Sequence, residues 1–177
     1  MPEKAAHEKL VVTGIPNFDN CASYLDNDFP YHNFVLVATS DARETYKFDN
    51  RKKFIQQAIE IADGRQLIFK LHPNENIDRA TREILDLAPD ALIYTNGNID
   101  HMIANCDVLI CQYSTVVYVG LALGKEVHSY FDVDMLKQMV PLQNGGTSGR
   151  NIAEVCRHML RGEPVDTEEF ITAYATA

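Results

Sequence analysis

The sequence predicts an α/β fold, a doubly wound, Rossmann-like parallel sheet between two layers of helices. Five short apolar segments have the length of buried strands, and helical patterns lie between them. An alternation of strand and helix favours parallel strands joined by right-handed crossovers, with helices on both faces of the sheet. The five predicted strands are residues 34–38, 66–70, 91–94, 107–111 and 126–130.

Capping residues and apolar periodicity place the helices. Asn50 is expected to cap a helix over residues 50–63 that Gly64 ends, and a second helix covers residues 78–87. A third, over residues 114–123, is apolar all round and should be the most buried. The inward side of the first helix is expected to carry Phe54, Ile55, Ala58, Ile59 and Ala62. Further helices are predicted over residues 133–141, 150–161 (with Ser148 as cap) and 167–174.

The length of 177 residues allows one domain with a substantial core. Residues 1–33 are polar and irregular apart from a strand-like segment at 10–13, so they are assigned to an interdomain segment and an amino-terminal strand. Residues 34–177 are assigned to the Rossmann-like domain.

Composition limits the function. Hydrophobic residues make up 46% and charged residues 23%, as in ordinary globular domains. The net charge of −9 opposes binding to nucleic acid or to an anionic membrane surface. The charged amino terminus is unlike a signal peptide and no apolar run reaches the length of a transmembrane segment, so a cytoplasmic location is expected.

The four cysteines and six histidines show no spacing typical of metal ligands. No metal site is therefore predicted, and the cysteines within the apolar segments are expected to be buried, reduced thiols.

The candidate site lies at the carboxyl ends of the predicted strands. In an open parallel sheet every β-to-α loop and helix start gathers at that edge, where ligands bind. The loops there carry hydroxyls, amides and one histidine, which suits a phosphate-bearing ligand. The candidate binding residues are Thr39, Ser40, His72, Pro73, Asn74, Asn96, Gln112, Ser114, Thr115 and Asp132.

His72 is the most specific candidate for ligand binding and the only residue proposed from the sequence as catalytic. Pro73 keeps it extended at the end of its strand, so its imidazole could neutralise a phosphate or carry a proton. The alternative is a solvated loop histidine beside a turn-forming proline. Asn74 could bind phosphate or cap the next helix, and Asp132 could meet a ribose hydroxyl or cap the helix that follows it.

Ser114 and Thr115 stand between a buried strand and an apolar helix. A helix opening offers unpaired backbone N–H groups and the positive end of a dipole, and the two hydroxyls add donors. The alternative is an ordinary N-cap, because Ser and Thr cap helices in proteins that bind nothing.

Other motifs point away from several enzyme classes. The segment Gly145-Gly146-Thr147-Ser148-Gly149 precedes a helix but matches neither the P-loop nor the dinucleotide fingerprint. There is no Gly-x-Ser-x-Gly elbow and no cysteine in a helix-opening loop of this edge, which disfavours hydrolase and thiol chemistry.

From Val11 to about Arg161 the sequence resembles the carboxyl-terminal half of GT-B glycosyltransferases. Lys70-Leu71-His72-Pro73 resembles the His-Pro motif of CDP-glycerol glycerophosphotransferases and capsule polysaccharide transferases, and residues 71–76 are also similar to a stretch of UDP-N-acetylglucosamine 2-epimerases. Residues 107–115 resemble the paired-hydroxyl motif of the first group, although Gln112 replaces an acidic residue.

The resemblance implies that residues 34–177 bind a nucleotide diphosphate. His72 would contact the nucleotide or its phosphates, and Ser114 and Thr115 would hold phosphate at the helix opening. The ligand would be a nucleotide-diphosphate sugar or CDP-glycerol, of CDP/CMP or UDP type, used as a donor substrate with no permanently bound cofactor. It also implies an amino-terminal Rossmann-like domain that this chain lacks, so the isolated chain is expected to bind without catalysing transfer.

Three functions follow. The first is the donor-binding domain of a glycosyltransferase or glycerophosphotransferase acting in cell-surface polysaccharide synthesis. The second is a domain like that of UDP-N-acetylglucosamine 2-epimerases, and the third is a noncatalytic Rossmann-like domain that binds a ligand or a partner.

Overall fold

The computed structural model describes residues 11, 13–47, 49–143 and 146–165. The helix predicted over residues 167–174 lies outside this part of the chain, and so does part of the strand-like segment at 10–13. The chain divides into two compact units, one formed by residues 22–136 and the other by residues 1–21 together with 137–177. The first unit holds the sheet and every candidate binding residue.

Five strands form the sheet: β1 (Val35–Ala38), β2 (Leu67–Lys70), β3 (Leu92–Tyr94), β4 (Val108–Cys111) and β5 (Glu126–His128). The helices are α1 (Ala42–Tyr46), α2 (Arg51–Ala62), α3 (Ile77–Leu85), α4 (Ile99–Asn105), α5 (Val116–Ala122), α6 (Val133–Gln143) and α7 (Ser148–Arg161). Short 3₁₀ helices cover Pro16–Phe18 and Cys21–Leu25. Among the described helices, none is long and apolar enough to cross a bilayer.

The sheet is parallel throughout, with the strand order β3-β2-β1-β4-β5. Val35 of β1 pairs with Leu67 of β2 on one side and with Val108 of β4 on the other. The predicted fold class is therefore confirmed. The chain builds outward from β1 to β3 and then returns to add β4 and β5, so the winding reverses between β1 and β4.

The core has two layers, and one of them lies between the sheet and helices α2 and α3. Side chains of β1, β2 and β4 on this face contact Phe54 and Ile55 of α2 and Ile84 of α3, all at most 1% exposed. Burying a side chain of this size contributes about 1.5–3 kcal/mol. On the opposite face α5 packs very closely on β4. An added Cβ on Gly120 would lie only 2.7 Å from Leu109 Cδ2, so the glycine permits this approach.

Several predicted boundaries and burials need correction. Ile59, expected inward, is exposed. The helix predicted over residues 114–123 is only Val116–Ala122. Ser148, expected to cap its helix, is the first residue of α7, and its N–H and that of Gly149 donate to the carboxylate of Asp19 at 3.1 Å. The acceptor for that helix start therefore comes from a distant residue, which periodicity does not reveal.

Candidate functional site

The candidate site is the carboxyl edge around β1 and β4. Ligands of open α/β sheets bind outside the carboxyl ends of strands where the winding reverses, because the two loops there leave the sheet in opposite directions. Here those loops begin at Thr39 after β1 and at Gln112 after β4. His72 follows β2, the other neighbour of β1. The structure thus brings three of the predicted loops to adjacent positions.

A buried ion-pair network lies beneath these loops. Arg51, the first residue of α2, donates from Nε to Asp49 Oδ2 at 2.9 Å and from Nη2 to Glu75 Oε1, and the arginine side chain is only 3% exposed. Arg51 also reaches the carbonyl of Ser40 at 3.3 Å. Burying such charges is unfavourable unless they are paired, and here Arg51 is paired with two carboxylates. Sequence reasoning missed all three charged residues.

Glu75 holds the loop that carries His72. Its Oε2 accepts hydrogen bonds from the Thr39 hydroxyl and from the backbone N–H of His72, the latter at 2.9 Å. The Thr39 hydroxyl oxygen shares that N–H at 3.1 Å. His72 is therefore fixed against the β1 loop by its backbone, in addition to the restriction that Pro73 imposes.

Gln112 connects the β1, β4 and β5 loops. Its amide donates to Asp49 Oδ1 at 2.9 Å and accepts from the Ser40 hydroxyl, while its backbone carbonyl accepts from the Ser129 hydroxyl at 2.9 Å. The side-chain polar groups of Ser40 and Gln112 thus have partners inside the protein. Their predicted ligand contacts remain predictions.

The imidazole of His72 is half-buried and oriented by its neighbours. Nδ1 accepts the backbone N–H of Asn74 at 3.3 Å, and Asn74 donates through its side chain to Asp41 at 3.2 Å. An Nδ1 that accepts places the proton of a neutral ring on Nε2. No residue in the described ranges forms a hydrogen bond with that Nε2, which leaves it available as a donor.

Asp41 adds a negative charge beside this histidine. Hydrogen bonds from Asn74 and then from Thr45 lower the pKa of the Asp41 carboxyl. Asp41 is therefore ionised throughout the neutral range.

Ser114 and Thr115 lie at the start of α5. The Ser114 hydroxyl has only a long contact, 3.5 Å, with the N–H of Val116, and Thr115 forms no side-chain capping bond. Thr115 is exposed to solvent. Efficient capping by these hydroxyls is therefore not observed. Since β1 lies between β2 and β4, the Ser114 loop is about 10 Å from the His72 loop, two strand spacings away.

The other predicted residues differ in their surroundings. Asp132 accepts the N–H of Met135 at 3.0 Å and so caps α6, the alternative that the sequence left open. Asn96 is exposed in the loop after β3, and Pro73 is exposed beside His72. Neither contributes a side-chain hydrogen bond in the described part of the chain.

Lys70, at the end of β2, is a further residue that sequence reasoning missed. Its ammonium donates to the carbonyls of Leu71 and Thr95, both at 3.1 Å, and the residue is 9% exposed. Burial lowers its pKa below the usual 10.5. Lys70 thus links the β2 loop to the β3 loop. Its neighbours in the sequence are apolar strand residues, so the sequence did not indicate this contact.

Comparisons with known proteins support the fold. No protein-family model matches the chain, and no curated protein does. A UDP-GlcNAc 2-epimerase from Methanocaldococcus jannaschii, solved with UDP-GlcNAc and UDP, has a TM-score of 0.59 at 15% identity over 85% of this chain. The Neisseria meningitidis UDP-GlcNAc 2-epimerase bound to UDP-GlcNAc has a TM-score of 0.58 at 13% identity over 84%.

The chain shares its fold with part of each of these two epimerases. It covers 55% of the length of each of these two epimerases, about half. The wall teichoic acid polymerase TagF matches over 68% of this chain and 30% of its own length, at 18% identity and a TM-score of 0.39, which is too low to support an inference. The predicted likeness to a GT-B half is confirmed at the level of the fold.

Proposed function

We propose that this chain binds the diphosphate of a nucleotide sugar at the carboxyl edge of its sheet, as the donor-binding domain of a glycosyltransferase or glycerophosphotransferase of cell-surface polysaccharide synthesis. One observation carries the proposal. The His72 backbone is held by Glu75, its Nδ1 accepts from Asn74, and its Nε2 has no partner in the described ranges. This is the arrangement of a donor prepared for an external acceptor.

The phosphate oxygens would be shared between the two loops. His72 would donate from Nε2 to one phosphate, and Ser114 and Thr115 would donate from their hydroxyls to the other. In a transfer reaction the departing diphosphate gains negative charge, so donors already in place stabilise the transition state more than the ground state. The substrate that receives the transferred group would be bound by the amino-terminal GT-B domain that the sequence resemblance implies.

The charge of the protein supports local rather than long-range recognition. The net charge is −9, and Asp41 lies beside His72, so the overall field repels an anionic ligand. Binding must therefore come from oriented hydrogen bonds, each to a charged oxygen and each contributing about 1.5–3 kcal/mol.

A second candidate is an epimerase-like domain that releases and rebinds UDP at the same edge. The observation in its favour is that the structures with TM-scores of 0.58 and 0.59 are UDP-GlcNAc 2-epimerases. The carboxylate of Asp41, next to His72, would supply one of the acidic groups such chemistry needs. Both candidates share the diphosphate site and differ in what happens to the sugar.

Calorimetric titration of the chain with UDP, CDP, GDP and UDP-GlcNAc tests the shared step. We expect a nucleotide of the CDP or UDP type to bind, and we expect His72→Ala and Ser114→Ala each to weaken binding about tenfold or more, because each removes a hydrogen bond to a charged oxygen. His32→Ala is the matched control, since His32 is an exposed histidine that precedes β1 and lies at the opposite edge of the sheet.

The outcomes separate the candidates. A preference for cytidine would favour the transferase, as a glycerophosphotransferase that uses CDP-glycerol, and a preference for uridine would favour the epimerase-like domain. Negligible heat with all four ligands would refute the proposal and leave a noncatalytic Rossmann-like domain as the better hypothesis. Equal weakening by His32→Ala would show that the effect of His72→Ala is not local.

A further inference from the structure

Three aromatic side chains are exposed together at the carboxyl edge, directly beside Ser114. Tyr113 is 68% exposed, Tyr130 is 47% exposed and Phe131 is 38% exposed. The Tyr113 ring centroid lies 5.4 Å from each of the other two, edge to face in both cases. Large apolar groups rarely gather on a surface without a function, and such a cluster marks a binding site.

The cluster is rigidly supported by the fold. Tyr130 packs edge to face on Phe54, a core residue that is 1% exposed, with a centroid distance of 6.1 Å. The Ser129 hydroxyl accepts the N–H of Phe131 at 3.2 Å and donates to the carbonyl of Gln112, the residue before Tyr113. The two loops that carry the rings are thus tied to each other, so little conformational entropy is lost when a ligand stacks on them.

A groove with a mixed polar and apolar lining, between α2 and strands β4 and β5, begins at Tyr130. Its volume is about 380 Å³, and its lining includes Gln57, Glu60 and His128 together with Tyr130. The His128 imidazole already bonds to Glu126 at 2.7 Å, but the amide of Gln57 and the carboxylate of Glu60 bind hydroxyls, and the rings offer an apolar surface to a flat group. A pyranose ring has this combination, with C–H groups on its faces and hydroxyls around its rim.

We infer that Tyr113, Tyr130 and Phe131 form a stacking surface for the sugar ring of the nucleotide sugar. The inference rests on the proposed function, because it takes the diphosphate to lie at Ser114. A nucleobase is better served elsewhere at this edge, because the exposed amide of Asn96 in the loop after β3 forms no side-chain hydrogen bond in the described part of the chain. The base would lie on the other side of the diphosphate, toward the amide-bearing loop after β3.

The experiment compares UDP with UDP-GlcNAc on the full chain by calorimetry. Tyr113→Ala should weaken UDP-GlcNAc binding about three- to tenfold, the strength of one aromatic contact, and leave UDP binding within about twofold. Tyr113→Phe should bind both ligands as the wild type does. The control is Tyr31→Ala, because Tyr31 is also an exposed tyrosine in contact with another ring, 5.9 Å from Phe29, but lies before β1.

Each other result overturns a defined part of the argument. If Tyr113→Ala weakens UDP and UDP-GlcNAc equally, the rings hold the base and the assignment to the sugar is wrong. If it changes neither, the cluster serves another purpose, such as contact with a protein partner, while the proposed function stands. If the wild-type chain binds CDP but neither UDP nor UDP-GlcNAc, this inference fails while the proposed function stands. If it binds none of these nucleotides, the proposed function fails and takes this inference with it.

A fluorescent variant gives an independent measurement should Tyr113→Ala fold poorly. The chain contains no tryptophan, so Tyr113→Trp introduces a single reporter. Its emission should change with UDP-GlcNAc and remain unchanged with UDP. An equal response to the two ligands, or none to UDP-GlcNAc when calorimetry detects binding, would contradict the inference.

Discussion

Replacing Arg51 with methionine should destabilise the protein severely. The arginine side chain is 3% exposed, and the carboxylates of Asp49 and Glu75 that it contacts are each 2% exposed. Its removal leaves two buried negative charges without their cation. Breaking a buried pair in this way costs about 3–5 kcal/mol, a large share of the roughly 5–15 kcal/mol that holds a typical domain together.

The effect is best measured by urea unfolding followed by circular dichroism. Arg51→Met should lower the free energy of unfolding by about 3–5 kcal/mol. Glu75→Gln should cost about 1–3 kcal/mol, because Arg51 keeps Asp49 as a partner. The double variant should be more stable than the sum of the two losses predicts, by about 1–3 kcal/mol, since removing Glu75 relieves the charge that Arg51→Met leaves unpaired.

A surface pair provides the control. Arg157 contacts Glu154 at 2.9 Å, and both side chains are about half exposed. Arg157→Met should cost less than about 1 kcal/mol, as exposed ion pairs do. If Arg51→Met costs no more than Arg157→Met, or if the two losses at Arg51 and Glu75 simply add, then the network is not the buried, coupled unit described above.

Two further perturbations test the packing beneath the site. Burial depresses the folded-state pKa of Lys70 below 10.5, so its penalty for the charged form is complete at neutral pH and disappears as the pH rises to 10.5. Burial also raises the pKa values of Cys106 to about 12 and Cys111 to about 11, which lowers stability in the alkaline range. The urea midpoint of the wild type should therefore rise relative to that of Lys70→Met as the pH approaches 10.5, and a constant difference would contradict the reasoning. Gly120→Ala would place a Cβ 2.7 Å from Leu109 Cδ2 and 3.0 Å from Val127 Cγ2. It should lower the free energy of unfolding by about 1–2 kcal/mol, although alanine normally stabilises a helix, and a stabilised variant in the same assay would show that β4 can move aside.

Much of the sheet could be predicted from the sequence because parallel strands are buried on both faces. They therefore appear as continuous apolar runs rather than as alternating patterns. The first four strands each begin one residue later than predicted, and β5 ends at His128 rather than at residue 130. The chain leaves β5 early because the hydroxyl of Ser129 bonds to the β4 loop and to the N–H of Phe131.

The short helices α1 and α4 could not be predicted, because five to seven residues give too few turns for an apolar period to be recognised. The cap of α4 is the detectable part. Asn98 accepts the N–H of Asp100 at 2.9 Å, and an asparagine directly after Gly97 is a signal that could have indicated the start of α4.

The buried charges were missed for a different reason. Arg51 and Asp49 stand in a polar stretch around a helix start, where charged residues are usually solvated. Glu75 stands in a loop that looks equally exposed. Only the tertiary arrangement, with the β1 and β2 loops adjacent, removes these side chains from water, and no local pattern contains that information.

The network explains why the candidate site has two layers. In the lower layer the side chain of Thr39 bonds to Glu75, that of Ser40 bonds to Gln112, and that of Gln112 also bonds to Asp49. Above, the Nε2 of His72 and the hydroxyl of Thr115 have no such partners within the described ranges. A buried ion pair is weak evidence for stability as such, so its clearest benefit here is positional, since it fixes the loops from which the free donors project. Folded Glu75→Gln should therefore bind UDP more weakly even though Glu75 does not reach the proposed ligand, because the backbone of His72 loses its anchor.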